Sequence, residues 1–401
     1  MKSLYIHNLS QAMTMADGLS PIENAAILIE DKIIKAIGPS IEIKPLVPAD
    51  ARIIDAGGRC ALPGLIDPHT HLVYAGNRAQ EFAQRLAGAD YLEILKAGGG
   101  ILSTVQATRA ASDEELYLLA RERLLEMLSW GVTTVESKSG YGLATEHELR
   151  LLRVGKRLSD EGFQIIPTFM GAHALPHEFK DNREAYVDLI INEMLPAARE
   201  LAVFCDVFMD EGAFTGEETE RIFGKALELG YKLKIHADEL APTGGAELAG
   251  AWKAVSADHL LHPSDEGLEA MARAGTIAVM LPATSFSLRK PYAPVQRFRS
   301  HGLKIAVATD HNPGTSPTLS LPLAAAIGVL AGGLTIDEAL LGMTANAAGA
   351  LGLDDRGVLA PGKRADVLIL DAGDPAQMFY QIGKKLAWKV FVGGREMYSA
   401  E

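Results

Sequence analysis

Short apolar runs alternate with longer helical stretches through the middle of the chain. Eight such runs can be counted between residues 61 and 309, and this alternation favours βα units around a parallel sheet. Eight strands, each followed by a helix, predict a (β/α)8 barrel. A doubly wound open sheet is the alternative, but no glycine-rich phosphate-binding fingerprint follows the first strand. The predicted strands lie near residues 61–69, 132–137, 164–170, 203–209, 232–236, 254–258, 276–281 and 304–309.

Three of the intervening helices have a recognisable start. In a capping box, a Ser or Thr is followed three residues later by Glu, and the two side chains bond the first free N–H groups of the helix. The pattern predicts one helix through the leucine-rich stretch 116–128 and another that runs to Gly230. The three pairs are Ser112 with Glu115, Thr215 with Glu218, and Thr335 with Glu338.

Both ends of the chain are rich in short strands and turns. Neither end is long enough to bury a core alone, so we expect them to pair in a small β-sandwich domain beside the barrel. The predicted division is residues 1–60 for the N-terminal part of the β domain, 61–353 for the catalytic barrel and 354–401 for the C-terminal part. The apolar runs that define these ends are residues 25–30, 33–37 and 52–54, and then 357–359, 365–371 and 388–392.

Composition and charge narrow the function classes. The net charge is -13, from 38 basic and 51 acidic residues, which argues against nucleic acid or an anionic membrane as a partner. Two cysteines, Cys60 and Cys205, cannot form a disulfide framework, as expected in a reducing cytoplasm. No signal peptide is visible, and no apolar run approaches the ~18 residues of a membrane span. We therefore expect a soluble cytoplasmic protein that acts on a small molecule.

Histidines concentrate where the predicted strands end. His69 and His71 are one residue apart, and residues with that spacing point to the same face of an extended strand. Barrel active sites lie at the carboxyl ends of the strands. Of the 11 histidines in the chain, six fall at such ends: His69, His71, His173, His236, His259 and His311.

These residues suit a divalent metal ion. Two imidazoles from strand 1, a third from strand 5 and the Asp310 carboxylate from strand 8 are nitrogen and oxygen donors that both zinc and iron accept. A metal in such a site lowers the pKa of a bound water to about 7. Glu239 lies three residues after His236, just beyond the strand, where it could transfer a proton. The alternative interpretation is that Glu239 is a solvated carboxylate in a loop.

Several longer motifs resemble a known family. PGLIDPHTH at 63–71, the His-Ala-x-Glu of strand 5, Asp310, and GVLAPGKRADVLILD at 357–371 resemble the amidohydrolase superfamily. Within it, further segments spread over nearly the whole barrel resemble the imidazolonepropionase family. These segments are HLVYAGNRAQEF (71–82), ESKSGYGL (136–143), TFMGAHALP (168–176), KIHADE (234–239), SADHL (256–260) and ATDHNPGTSPT (308–318).

The resemblance implies one metal ion, zinc or iron, per subunit. The implied ligands are His69, His71, His236 and Asp310. Many superfamily members hold two metals bridged by a lysine on strand 4, but here residues 208–211 read Phe-Met-Asp-Glu, with no lysine. Lys138 follows strand 2 and is not assigned as a bridge. We therefore expect a single metal.

The resemblance also implies an activity: hydrolysis of the cyclic amide C–N bond of 4-imidazolone-5-propanoate to N-formimidoyl-L-glutamate, in histidine degradation. Attack of a metal-activated water on the ring carbonyl is implied, with a homodimer as the oligomeric state. The implied catalytic residues are Glu239 as proton carrier, Asp310 as assisting carboxylate, His173 as the group that contacts substrate and steadies the oxyanion, and His259 as an orienting residue. The implied substrate-binding residues are Arg78 for the propionate tail, Tyr141, His173, Glu239, Asn312, Gly314 and Thr315.

Two other functions stay open at this stage. A deaminase of guanine or a related cyclic amidine would use the same metal chemistry, but Arg78 favours a substrate with a carboxylate, which a neutral purine lacks. A non-enzymatic relative would be expected to lack some metal ligands, and none is missing. His311 adjoins Asp310 and should point to the opposite face. The Gly98–Gly100 run permits a loop that moves over the substrate. The remaining histidines, His7, His147, His177, His262 and His301, are expected to be surface or packing residues.

Overall fold

The computed structural model describes residues 3–88 and 99–400. Gly98, the first residue of the proposed mobile glycine run, lies outside them. Apolar stretches form strands along the described chain. These are β1 Leu4–His7, β2 Gln11–Met13, β3 Pro21–Glu23, β4 Ala25–Glu30, β5 Ile33–Pro39, β6 Arg52–Asp55, β7 Ala61–Pro63, β8 Leu65–Asp67, β9 Val132–Lys138, β10 Gln164–Ala172, β11 Phe204–Met209, β12 Lys232–Ala237, β13 Ser256–His259, β14 Ile277–Met280, β15 Ile305–Val307, β16 Val367–Leu370, β17 Ala387–Val392 and β18 Arg395–Ser399.

Helices separate the strands of the middle region. They are α1 Ser40–Ile43, α2 Ala79–Leu86, α3 Ile101–Ala110, α4 Asp113–Ser129, α5 Thr145–Asp160, α6 Arg183–Leu189, α7 Leu195–Ala198, α8 Gly216–Glu228, α9 Gly245–Ala251, α10 Asp265–Ala274, α11 Pro282–Leu288, α12 Val295–Ser300, α13 Leu321–Leu330, α14 Ile336–Gly342, α15 Ala345–Ala350 and α16 Gln377–Tyr380. Short 3-10 turns lie at Lys44–Leu46 and His177–Phe179, and a π-helical turn lies at Ile190–Met194. None of the helices in the described ranges is long and apolar enough to cross a membrane.

The predicted helix starts are present. Thr215 and Thr335 each complete a reciprocal capping box with the Glu three residues later. At the start of α4, the Ser112 hydroxyl accepts a hydrogen bond from the N–H of Glu115. Local sequence therefore determines where α4, α8 and α14 begin.

A parallel barrel forms the centre of the molecule. Within residues 3–88 and 99–400, strands β8 to β15 lie side by side in sequence order in one eight-stranded parallel sheet. The first and last strands meet just beyond their ends: the N–H of His71 donates to the carbonyl of His311 (2.8 Å), and the N–H of Asp310 donates to that of His69 (3.1 Å). The (β/α)8 prediction is confirmed, and the barrel closes at the rim where the histidines lie.

The predicted first strand, 61–69, is in fact two strands in two different sheets. Residues 61–63 (β7) pair antiparallel with β16 of the small domain, whereas 65–67 (β8) pair with β9 of the barrel. Gly64 lies between them against Thr133, whose side chain would overlap any added Cβ. The apolar run is continuous in sequence because both sheets bury it, so the pattern could not reveal the break.

The small domain is a sandwich of two sheets built from both chain ends. One sheet has the strand order β5-β4-β1-β6, and the other has β18-β17-β16-β7-β2-β3. Buried aliphatic and aromatic side chains fill the space between the sheets. They include Leu4, Ile6, Ile27, Ile29, Val367, Ile369 and Phe391. The predicted pairing of the two chain ends is therefore confirmed.

Residues 357–359 do not form the strand that their apolar character predicts. Gly357 has a left-handed φ of +81°, and an added Cβ would approach the Thr344 carbonyl oxygen to 2.8 Å. The N–H of Leu359 donates a hydrogen bond to the backbone carbonyl of Thr14 (2.8 Å). The segment is a bend that connects the barrel to strand β16. The side chain of Leu359 packs in the core of the small domain.

Candidate metal centre and substrate site

The carboxyl ends of the barrel strands bring four predicted ligands together. His69 and His71 follow β8, His236 lies in β12 and Asp310 follows β15; all are buried. One ligand atom from each of His69, His71 and Asp310 lies within 4.8 Å of the others, and the same holds for His69, His236 and His259. The structure thus places the four predicted ligands in two groups that share His69, and His69 and His71 lie just past the strand rather than inside it.

The backbone turns sharply where these strands end. Asp238, His259 and Asp310 have positive φ angles of 51°, 74° and 51°, a left-handed conformation that non-glycine residues rarely adopt. Such residues concentrate at functional sites, where the surrounding structure holds them in place. Here the strand-joining bond from Asp310 to His69 and a bond from the Leu260 N–H to Ala237 (3.0 Å) hold two of the three turns.

Buried carboxylates fix the orientation of two of the rings. Asp258 accepts a hydrogen bond from Nδ1 of His69 (2.6 Å), and Asp206 accepts one from Nδ1 of His236 (3.0 Å). With Nδ1 occupied, each ring offers Nε2 as its ligand atom, the arrangement commonly found behind metal-binding histidines. Neither aspartate was expected to act in the site from sequence.

Two buried histidine nitrogens of the described residues, Nε2 of His69 and Nδ1 of His71, lack a hydrogen-bond partner. Nε2 of His69 lies 3.3 Å from Oδ1 of Asp310, whereas Oδ2 of Asp310 accepts a hydrogen bond from Thr284 (2.6 Å). An unpaired buried nitrogen beside an available carboxylate oxygen is the arrangement that a bound cation would complete.

The protonation states suit metal binding. Burial holds the pKa of His69, His71 and His236 well below the ordinary histidine value, so the rings are neutral and keep a lone pair for a metal. Burial also raises the pKa of Asp310 to about 7, because it removes the carboxylate from water. The donor set therefore fits a divalent metal ion.

A cluster of buried charges lies beneath the ligands. Lys138 Nζ is 2.5 Å from Asp206, 2.9 Å from Glu136 and 3.4 Å from Asp258, while Lys234 Nζ is 3.0 Å from Glu136. Burial by itself lowers the pKa of Lys138, but the adjacent carboxylates, Asp206 first, outweigh it and raise the pKa. Sequence reasoning missed Glu136 and Asp206. Asp206 is a charged residue inside the otherwise apolar strand β11, and that interruption is the signal by which it could have been found; Glu136 lies among other polar residues of β9 and gives no such signal.

Three further predicted residues surround the ligands. The ring of His173 stacks on His71, with centroids 4.7 Å apart, and its Nδ1 donates to the carbonyl of Gly140 (2.9 Å). His259 Nδ1 lies 3.5 Å from Oε1 of Glu239. Burial is the main cause that raises the pKa of Glu239 to about 8, and the negative charges of Asp310 and Asp210 raise it further. A carboxyl group near neutrality can both accept and return a proton.

The predicted substrate residues form the wall beside this cluster. The ring of Tyr141 is buried 5.5 Å from that of His71. Arg78 lies against Gly314, where an added Cβ would overlap its guanidinium. Glu81 accepts hydrogen bonds from Nε (2.8 Å) and Nη2 of Arg78 and, through the same carboxylate, from the N–H of Gly100 (2.9 Å).

A tight loop links Arg78 to the metal ligands. Asn312 Nδ2 donates to the carbonyl of Asp310 (2.7 Å), and its Oδ1 accepts from the N–H groups of Gly314 (2.8 Å) and Thr315 (2.7 Å). The sequence suggested these two N–H groups as donors to a substrate carboxylate. In the structure they are engaged with Asn312, so Asn312 shapes the loop on which the site rests.

His311 points away from the cluster. Its Nδ1 lies 3.1 Å from the Thr318 carbonyl oxygen and its Nε2 lies 3.2 Å from the Tyr74 hydroxyl. Both ring nitrogens are therefore occupied. The opposite orientation of the neighbours Asp310 and His311 is what strand alternation predicts.

The class of protein follows from comparison with known families. Residues 60–397 match the amidohydrolase family model, so the chain belongs to the amidohydrolase family. An imidazolonepropionase of Caldanaerobacter subterraneus is 48% identical over 394 residues, covering 95% of this chain and 94% of the relative. One from Geobacillus kaustophilus is 45% identical and covers 98% of both chains. Within the wider family, the chain belongs to the imidazolonepropionases.

Solved structures agree with this fold. A triazine hydrolase from Arthobacter aurescens aligns with a TM-score of 0.80 at 20% identity, covering 100% of this chain and 95% of the other. An adenosine deaminase from Xanthomonas campestris with bound zinc aligns with a TM-score of 0.76 at 18% identity, covering 99% and 93%. At such identities the likeness concerns the fold alone.

Proposed function

We propose that this protein hydrolyses 4-imidazolone-5-propanoate to N-formimidoyl-L-glutamate. One observation carries the proposal: the loop from Asp310 to Gly314 joins a metal-ligand carboxylate directly to the residue that packs on Arg78. A cation suited to a carboxylate tail is thereby held beside the donor set suited to a metal. The imidazolonepropionase relatives at 45% to 48% identity support the same substrate.

The protein must bind two parts of the substrate, the propionate tail and the ring. The propionate tail needs a cation, and arginine is the residue best suited to a carboxylate. Glu81 holds Nε and Nη2 of Arg78 and Gly314 packs against Nη1, so the guanidinium is fixed in one orientation, from which we propose that it binds the tail. The ring of Tyr141 lies 5.5 Å from that of His71, and we propose that it packs on the substrate ring. Asn312 and Thr315 keep the loop in shape.

The proposed metal ligands are His69, His71, His236 and Asp310. When bound there, a divalent cation would lower the pKa of a water molecule to about 7 and polarise the ring carbonyl. Imidazole and carboxylate donors suit zinc and iron alike, so we propose one ion of either element per subunit. Metal analysis of protein purified without added metal distinguishes the two.

The chain's own residues move the protons. The oxygen of water adds to the ring carbonyl carbon, and Glu239, with a pKa of about 8, takes the proton that the water loses. The C–N bond then breaks, Glu239 returns the proton to the departing ring nitrogen, and the new carboxyl group loses the second proton of the water to solvent and becomes a carboxylate. His259, 3.5 Å from Glu239, orients that carboxyl group.

The role proposed for His173 follows from its tautomer. Its Nδ1–H donates to Gly140, and burial lowers its pKa to about 4, so the neutral ring presents Nε2 as an acceptor. Such a ring can bind an N–H of the substrate; to steady an oxyanion, as first expected from sequence, it would have to gain a proton.

A ring-opening assay tests the function. Freshly generated imidazolone propionate is mixed with wild type, Arg78→Ala and His236→Ala; the loss of ultraviolet absorbance is followed, the product is identified and bound metal is counted. We expect formimidoylglutamate from wild type, an inactive His236→Ala without metal, and a metal-replete Arg78→Ala with raised KM. Arg121→Ala, which breaks a surface ion pair with Glu161, serves as the control and should behave as wild type.

The alternative outcome is equally specific. If metal-loaded wild type leaves imidazolone propionate intact, the substrate is wrong, and guanine with related cyclic amidines become the next substrates. Arg78 is the residue that argues against them, because a neutral purine offers it no carboxylate.

We also propose a cytoplasmic homodimer. Cys60 and Cys205 are both buried and free, as expected in a reducing compartment, and two-fold dimers are the commonest symmetric assembly. Light scattering in solution measures the oligomeric state; a monomer at working concentrations would contradict the dimer.

A further inference from the structure

We propose that Lys138 is a positioning residue for the metal centre, acting through Asp206 and Asp258 on the rings of His236 and His69. The proposal rests on the proposed metal ligands. It assigns a role to a buried lysine that neither binds the metal nor touches the substrate.

The contacts form two short relays from one ammonium group. Lys138 Nζ donates to Oδ2 of Asp206 (2.5 Å), whose Oδ1 holds Nδ1 of His236 (3.0 Å). The same Nζ lies 3.4 Å from Oδ2 of Asp258, the atom that holds Nδ1 of His69 (2.6 Å). Within residues 3–88 and 99–400, Lys138 thus connects the carboxylates behind two ligands that come from different strands.

Burial gives these contacts their importance. The side chains of Lys138, Asp206 and Asp258 have no exposed surface, so water cannot replace a lost partner. A buried carboxylate that loses its cation is left uncompensated, and its side chain is then free to turn toward other donors. Asp258 also accepts a hydrogen bond from Ser256 (2.8 Å) and has Lys234 3.9 Å away, so loss of Lys138 should loosen the ring of His236 most and that of His69 less.

Other charges of the cluster do not have this geometry. Lys234 donates to the carbonyl of Pro68 (2.7 Å) and pairs with Glu136 (3.0 Å), but it lies 3.9 Å from Asp258. Glu136 pairs with both lysines and accepts a hydrogen bond from Thr168 (2.5 Å). The described structure shows no hydrogen bond from Glu136 to a histidine, so Glu136 belongs to the same buried cluster without holding a ligand.

Glu136 therefore provides a matched control. Lys138→Met and Glu136→Gln each remove one charge from the cluster, but only the first removes a group that contacts the aspartates behind His236 and His69. Metal affinity is measured by competition with a chelator, and ligand geometry by the visible spectrum of the cobalt-substituted protein. We expect Lys138→Met to lose about 10- to 100-fold in affinity, the usual effect of losing a group behind a metal ligand, with an altered cobalt spectrum. Glu136→Gln should keep wild-type affinity and spectrum.

A second variant keeps the test decisive if Lys138→Met does not fold. Asp206→Asn keeps the shape of the side chain but loses the ion pair to Lys138, and it should show a smaller loss in the same direction. Wild-type affinity in folded Lys138→Met or in Asp206→Asn, or an equal loss in Glu136→Gln, would overturn the proposal while the proposed function stands. Wild type that binds no metal would overturn both.

Discussion

At the scale of single residues, the proposed substrate site depends on one close approach between Arg78 and Gly314. Gly314 does not have a left-handed backbone, so alanine could adopt its conformation, but the added Cβ would overlap the guanidinium. We expect Gly314→Ala to push Arg78 away from its bonds with Glu81 and to raise KM with little change in kcat. Losing one charge-assisted bond of about 1.5–3 kcal/mol corresponds to a KM increase on the order of 10- to 100-fold.

Steady-state kinetics with a second glycine variant checks this expectation. Gly155 lies in α5, where an added Cβ would lie 3.9 Å from the Ile165 side chain, an ordinary van der Waals contact. Gly155→Ala should therefore keep the wild-type KM and kcat. An unchanged KM in Gly314→Ala would mean that Arg78 does not hold the substrate in the conformation described.

At the scale of secondary-structure elements, the start of α14 is stabilised by charge. Glu338 completes the capping box with Thr335 and also pairs with Arg299 through both oxygens (2.5 and 2.6 Å). The hydrogen bond from Arg299 is the largest cause that holds the pKa of Glu338 below its ordinary value. The ionised form is thus favoured by folding, and its contribution to stability is present above the ordinary pKa of about 4.3 and lost as the pH falls through the lowered pKa.

Glu338→Gln can keep the capping box but loses the partly exposed ion pair with Arg299, so it should lower the free energy of unfolding at pH 7 by up to about 1 kcal/mol. The difference from wild type should shrink as the pH falls below about 4. Denaturant unfolding across this pH range measures it. Glu269→Gln breaks a fully exposed pair with Arg273 and should have little effect at any pH. A difference that does not change with pH would contradict the ion-pair explanation.

Local patterns also determine how much of the structure the sequence could predict. The eight barrel strands and the capped helices were found because periodicity and caps act over a few residues. The division of 61–69 between two sheets was missed because both sheets bury the run equally, and only the contact of Gly64 with Thr133, distant in sequence, separates them. Asp206 and Glu136 were missed for a related reason: their role depends on which strands become neighbours.

At the scale of the whole molecule, the metal centre joins distant parts of the barrel. The proposed ligands follow β8, lie in β12 and follow β15. The ends of the first and last of these strands are joined by the rim bonds between His69 and Asp310 and between His71 and His311, and by two hydrogen bonds from Thr309 to Asp67. An ion held there by the folded state alone adds stability by mass action, about 2.7 kcal/mol when free metal is at 100 times its dissociation constant. We therefore expect removal of the metal with a chelator to lower the midpoint of thermal unfolding, and re-addition of the metal to restore it.

The midpoints of three proteins with and without chelator distinguish a site-specific effect from a general one. His236→Ala should unfold at the same temperature in both conditions, since the fifth strand no longer supplies its ligand. His301→Ala removes a histidine that contacts Arg297 and Asp265 at the surface, and it should keep the full chelator-dependent shift of wild type. If His236→Ala keeps that shift as well, the stabilising metal binds elsewhere. The ligand assignment at the barrel rim would then be wrong, even though the fold would stand.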